Sequence, residues 1–336
     1  MATALFRLLG SEQKSTAALA INQTNTTIAS KIIAGASYLG VVDASEIGGI
    51  AVDYSGNIFV ADKAQHVILR ISEGGTVKVV AGLAGTSGIN GTTTVTAAAA
   101  RFNAPTGIAV APNGDVYVAD SGNNQIRVIR GGKVGVVAGD GAGVSGFVTG
   151  TGGSAKFSNP VDVAVDKSGN IYVADKGNHS IRKIVNGGKV IKLAGTASGD
   201  GSNCLVTTAA LFTSPEGVEV DNSGNVWVLD SGNDKIKKIT PRGFVYYMSG
   251  STDGKAKGTT SYTSQFKSLR GISIDSSGNI YVVDRNASSG SRVLRLDTEG
   301  KVFVVADMAG SSSYDDGIVG ISVSPSGKLF IATDAT

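Results

Sequence analysis

Apolar and polar positions along this chain alternate in short runs, and the same runs return again and again. An apolar stretch such as Gly107-Ile108-Ala109-Val110 is followed by a small polar turn, Asn113-Gly114-Asp115. A second apolar stretch, Val116-Tyr117-Val118-Ala119, then ends on Asp120. A third run alternates, as in Ile126-Arg127, and after a Gly-Gly turn a fourth follows. Runs of four to six residues rich in Val, Ile and Tyr, bounded by Gly, Asn and Ser, predict β-strands. Pairs such as Ser168-Gly169 and Asn186-Gly187 tolerate positive φ and suit tight hairpins. The second strand, Ile171-Tyr172-Val173-Ala174, is apolar throughout, which predicts burial on both faces.

The phrase occurs six times. Its central apolar position falls at Val52, Val110, Val165, Val220, Ile274 and Val323, a period of about 54 residues. Each copy predicts four strands, here called a to d from first to last. Four-stranded sheets repeated radially make the blades of a β-propeller. The sequence therefore predicts an all-β fold: a single six-bladed propeller over 1–336, of four-stranded antiparallel blades.

The copies are similar to NHL repeats. Val165 to Ile184 (VDKSGNIYVADKGNHSIRKI) carries the resemblance most fully, and it extends over 31–336. The resemblance implies the propeller fold. It leaves function open, because propellers of this kind serve as ligand platforms, lyases and sensors.

The sixth copy stops after two strands, within 316–336. Ala4-Leu5-Phe6-Arg7-Leu8 resembles a third strand, and Ser30 to Gly35 (SKIIAG) a fourth. The expectation is that 1–35 supplies the outer strands of the closing blade and 316–336 its inner strands, so that both termini share one sheet. Between these outer strands lies an inserted loop at about 10–29, a candidate docking arm for a protein partner in an assembly.

Composition narrows the classes. Of 336 residues 47 are glycine, only 17% are charged, and the net charge is +3. That balance gives no footprint for nucleic acid or for an anionic membrane. No run of 18 apolar residues occurs, so no membrane insertion is expected. Met1 to Gly10 (MATALFRLLG) has its one basic residue inside the apolar run, unlike a secretion signal, so cytoplasmic synthesis is expected. One cysteine, Cys204, rules out an internal disulfide.

Candidate chemistry is sparse, and no catalytic residue is predicted. The acids in long d–a connections, Asp140, Asp200, Asp253, Asp315 and Asp316, are weak candidates for calcium or magnesium, and more in keeping with turns. No other cofactor is expected. Exposed aromatics of the same loops, Tyr38, Phe147, Tyr262 and Tyr314, are candidate contacts for a peptide or carbohydrate. The phenylalanine before each a strand (Phe102, Phe157, Phe212, Phe266) reads as a core plug. The Asp closing each b strand (Asp62, Asp120, Asp175, Asp230, Asp284, Asp334) reads as an acceptor of backbone N–H groups in the b–c turn, paired with Arg127 or Arg182 where these follow. Lys183, Lys235, Lys237 and Lys238 read as solvated residues near the outer edge.

The resemblance also implies tests for enzymes. Amidating lyases of similar fold use several histidines on zinc, and a catalytic zinc takes three protein ligands. This chain has two histidines, His66 and His179, in different repeats. Antibiotic-cleaving lyases of similar shape depend on a histidine base, and gluconolactonase-like propellers hold a metal in the channel. Glu216 and Glu219 lie near an a strand without a matching partner set. The sequence leans against an enzyme and toward a binding or structural component of a larger assembly, such as a virion surface or tail. The alternatives are a divalent-cation-dependent lyase or lactonase and a carbohydrate- or peptide-binding module.

Overall fold

The computed structural model describes residues 5–8, 47–195, 197–200, 205–207, 209–249, 266, 268–286, 290–298, 301–307 and 318–333. The strand pattern read from the sequence is present, and strands a to d of each complete blade form an antiparallel meander. In the third blade the order from channel to rim is Pro160–Val165, Ile171–Asp175, Ser180–Val185 and Lys189–Ala194. The b strand is buried at all five positions because both of its faces meet neighbouring blades. The a–b and c–d pairings each carry a register shift, between Pro160 and Asp162 and between Ile181 and Arg182. Bulges of this kind add local twist, which a strongly twisted blade requires.

The blade count differs from the sequence expectation. The described residues build five complete blades, three of five strands and two of four, rather than six uniform four-stranded blades. The sixth copy forms a three-stranded sheet in which Ile318–Val323 pairs with Leu329–Thr333, and Leu329–Thr333 pairs with Leu5–Leu8. Leu5 lies opposite Thr333, and Leu8 opposite Phe330. The segments 10–29 and 30–35 lie outside the described residues.

The fifth strands were not foreseen. They are Val95–Thr96, Gly150–Thr151 and Leu205–Val206, each from the connection that precedes the a strand of its own blade. This connection runs along the outer d strand before it turns inward, and so covers an edge that would otherwise offer unpaired backbone groups. The β-prone run Thr92-Thr93-Thr94-Val95-Thr96 carried the signal.

The core lies between blades. One apolar cluster joins Phe59 and Ile68 of the first blade to Phe102, Ile108 and Val118 of the second, and the pattern repeats around the ring. Phe102, Phe157, Phe212 and Phe266 are all buried in these clusters, as their recurrence predicts. Close approach of the a strands needs glycine. A Cβ on Gly107 would sit 2.4 Å from the Asp162 Cα in the next blade.

The repeated Asp acts as a staple. Asp120 accepts the Asn103 N–H (2.8 Å) and the Asn123 side-chain amide (2.9 Å), and pairs with Arg127 at 3.2 Å. Asp175 repeats this with Ser158, Asn178 and Arg182, and Asp230 with Thr213, Asn233 and Lys237. The backbone donors belong to the loop before the a strand, not to the b–c turn. Asp62 instead takes its own turn, from the Gln65 N–H, and Asp334 lies outside the described residues. Lys237 therefore replaces the arginine of the neighbouring copies and is buried, as is Lys235. Neither is a solvated edge lysine: Lys237 pairs with Asp230 over the Phe212 ring, and Lys235 is bonded to Asp200 over the Tyr247 ring. Lys183 and Lys238 lie over the rings of Tyr172 and Trp227.

Two phenylalanines separate core from surface. Phe157→Ala is expected to cost about 3–5 kcal/mol, as for a large buried aromatic. Phe147, 48% exposed and resting on Arg182, should lose about 0.5–1 kcal/mol on the same change. Denaturant unfolding of the two variants checks this, and equal losses would contradict the placement of the plug.

Candidate functional site

Six a strands surround a central channel of about 460 Å³. Its lining holds seven carboxylates and one lysine, although the chain carries a net positive charge. Four of the carboxylates are structural. Asp53, Asp166, Asp221 and Asp275 each open an Asp-x-Ser-Gly-Asn turn between strands a and b. In each turn Oδ1 accepts the N–H groups two and four residues on, and Oδ2 accepts the asparagine side-chain amide. Tyr172, Trp227 and Tyr281 add a side-chain bond to the same carboxylates.

The other three break the repeat. The innermost glycine position reads Gly49, Gly107, Asp162, Gly217, Gly271 and Gly320. Two residues on, the series reads Ala51, Ala109, Ala164, Glu219, Ser273 and Ser322. Asp162 and Glu219 are thus the only acids at these twelve positions, and they lie on adjacent a strands. Asp162 is fixed by two backbone donors, its own chain's Val163 N–H and the Val218 N–H of the next blade, both at 2.9 Å. Burial raises the Asp162 carboxyl to about 7 against the pull of those two bonds. Burial, then the charge of Asp162, raises Glu219 to about 8. The third acid, Glu216, is clamped by Lys176 Nζ (2.6 Å) and an Arg270 Nη1 (2.7 Å).

Sequence reasoning named Glu216 and Glu219 and missed Asp162. The signal was available: aspartate stands at a position where every other copy has glycine.

The loop candidates fall as follows. Asp140 accepts its own turn's Ala142 N–H at 2.8 Å and lies 3.6 Å from Lys156, and that backbone bond is the main reason its carboxyl is lowered. Asp200 is bonded to Lys235 and Tyr247. Phe147 lies 4.4 Å from the guanidinium of the buried Arg182. Tyr38, Tyr262, Tyr314, Asp253, Asp315 and Asp316 lie outside the described residues.

Both histidines are latches between blades. His66 and His179 have φ of 57° and 50°, and Nδ1 of each accepts a backbone N–H of the loop before the next a strand, from Ala104 (3.1 Å) and Ser214 (3.0 Å). Asn124 fills the same role toward Asn159. Among the described residues no group of three or more His, Cys, Asp or Glu is placed to hold a metal ion. Two channel carboxylates fall short of the six or more oxygens a hard cation takes, so the described residues do not by themselves make a calcium or magnesium site.

Meander blades, inter-blade plugs and a central channel define this chain as a β-propeller. The NHL repeat family pattern matches residues 102–129 and 157–184, so these two copies are NHL repeats. The chain is similar to SUPPRESSOR OF QUENCHING 1, a chloroplastic protein of Arabidopsis thaliana, at 30% identity over 54% of this chain and 18% of that protein. It is 32% identical to NHL repeat-containing protein 2 of Gallus gallus over 42% of this chain and 21% of that one. The chain thus spans about a fifth of the length of the curated relatives it matches. Among solved structures, a gluconolactonase from Xanthomonas campestris aligns with a TM-score of 0.56 at 14% identity, covering 86% of this chain and 83% of that one. Virginiamycin B lyase from Staphylococcus aureus aligns at 0.51 and 16%, covering 86% and 80%. At these identities the likeness is one of fold. No helix among the described residues is long and apolar enough to cross a membrane.

The channel pair sets a pH dependence. Both folded values lie above those of free carboxyls, so the native state binds more protons than the unfolded chain between about pH 4 and 8. The pair's contribution to stability is therefore present at low pH and lost as pH rises through that window. Glu219→Gln should melt above wild type by a few degrees more at pH 9 than at pH 5. Parallel melting curves across that range would contradict the assignment.

Proposed function

We propose that this chain is a binding propeller, a component of a larger assembly that docks a protein partner through its d–a loops. The observation that carries the reading is where exposed apolar side chains collect. Leu83 and Ile89, then Val144, Phe147 and Val148, then Val206 are 38–48% exposed and belong to three successive d–a connections. Two of these loops touch, since a Cβ on Gly143 would lie 3.2 Å from Ile89 Cδ1. Apolar side chains gathered on one set of loops, over a ring whose histidines and repeated acids are occupied in structure, suit contact with another protein. A virion surface or tail is one assembly that such a glycine-rich propeller would suit, and a cellular complex is another.

A second reading is a lyase- or lactonase-like enzyme, favoured by the Asp162–Glu219 pair in the channel. It requires a divalent cation, calcium or magnesium, whose further ligands the described residues do not supply.

Leu83→Glu with Val144→Glu separates the readings. The binding reading predicts at least a tenfold loss of co-purification with the native assembly and an unchanged melting temperature, with no stoichiometric metal by elemental analysis. Undiminished co-purification would overturn it. One equivalent of tightly bound metal, lost in Asp162→Asn, would favour the enzyme.

A further inference from the structure

Each complete blade ends in an outer d strand, and the residue that starts or immediately precedes this strand sits at the rim. Around the ring that position reads Thr76, Lys133, Lys189, Phe244 and Lys301. In the second and third blades its partner on the fifth strand is threonine: Lys133 lies opposite Thr96, and Lys189 opposite Thr151. Lysine at an outer edge discourages further pairing. In the fourth blade the same pair is Phe244 opposite Val206. Both are exposed, at 37% and 47%. The Phe244 ring lies 6.5 Å from that of Tyr246, two residues on along the same strand.

Charge at the rim is segregated as well. Strands c and d of the third and fourth blades, with the turn between them, cover 180–194 and 235–249. Each stretch holds four Lys or Arg and no Asp or Glu. Arg182, Lys235 and Lys237 are buried and held by Asp175, Asp200 and Asp230. Of the other five, Lys189, Lys192 and Arg242 are exposed, and Lys183 and Lys238 lie half-buried over the Tyr172 and Trp227 rings. Among the described residues none of these five has a carboxylate partner. Elsewhere the rim mixes signs. The first blade carries Glu73 alongside Arg70 and Lys78, and the fifth carries Asp297 and Asp307 alongside Arg292, Arg295 and Lys301. In the second blade Arg130 is paired with Asp115 at 2.6 Å.

We propose that the rim of the fourth blade docks an acidic and apolar segment of a partner protein. Val206 and Phe244 supply the apolar anchor, and Arg242 with the exposed lysines of the third blade supplies the complementary charge. Leu205–Val206 and Phe244–Ser249 present the anchor on a strand edge, the setting in which extended peptides are taken up. Charge also selects the occupant, because a second copy would set one all-basic rim against another. The surface goes beyond the d–a loop reading. Val206 belongs to both, but Phe244 and Arg242 stand on the d strand and c–d turn of a different blade from Leu83 and Val144, so either reading can fail without the other.

Fluorescence anisotropy of the full chain with a labelled peptide of alternating Glu and Val tests the surface. A Lys–Val peptide of equal length and a labelled oligo(dT) serve as comparisons. The Glu–Val peptide should bind about tenfold tighter than the Lys–Val peptide, and less tightly as salt rises. Phe244→Thr, which restores the residue type of the first blade, should cut that affinity about tenfold, as loss of an aromatic anchor does. Arg242→Glu, at an exposed turn, should also weaken it, and keeps the test open if the first variant melts early. No binding of the Glu–Val peptide, equal binding of the two peptides, undiminished binding in both variants, or tighter binding of the oligonucleotide would overturn the proposal.

Discussion

A buried carboxylate at the end of the second strand in blades two to five holds together parts of the chain that are far apart in sequence. Asp120, Asp175 and Asp230 each accept a backbone N–H from the loop that enters the blade, a side-chain amide from the b–c turn and a cation from the c strand. A charge in this setting is expensive to bury, and pairing with hydrogen bonding offsets that cost only if every partner is in place. The staple therefore fixes where the loop turns inward. That in turn places the Phe plug between blades and the a strand against the channel.

With the frame held from within each blade, the a strands are free to differ. Most positions stay small because neighbouring strands approach to where a Cβ would collide, as at Gly107. The exceptions, Asp162 and Glu219, give the channel its local chemistry. Six of the eight exposed large apolar side chains among the described residues lie elsewhere, on the d–a connections, the other two being Tyr54 and Phe244. Frame, channel and loops are thus three separable layers, and the binding reading draws on the third.

Much of this architecture was legible in the sequence because a period of about 54 residues repeats the same strand grammar. The Phe plugs and the b-strand Asp could be read from recurrence alone. The blade count could not, since the sixth copy supplies two strands and the described residues complete only five blades. The fifth strands were hidden because two-residue pairings on an outer edge leave no periodicity. Lys235 and Lys237 misled for a physical reason: a Lys-Ile-Lys-Lys run resembles a solvated edge, whereas Lys237 occupies the cation seat of the staple. Asp162 was overlooked because recurrence draws attention to what copies share, while this acid stands where they differ.

The staple can be measured directly by a double-mutant cycle on Asp175 and Arg182. Each single change, Asp175→Asn or Arg182→Met, should destabilise the ring by about 3–5 kcal/mol, because it strands a buried partner. The double variant should fall well short of the sum, leaving a coupling of roughly 1–3 kcal/mol. Additive losses, or single losses below about 1 kcal/mol as for an exposed pair, would contradict the account.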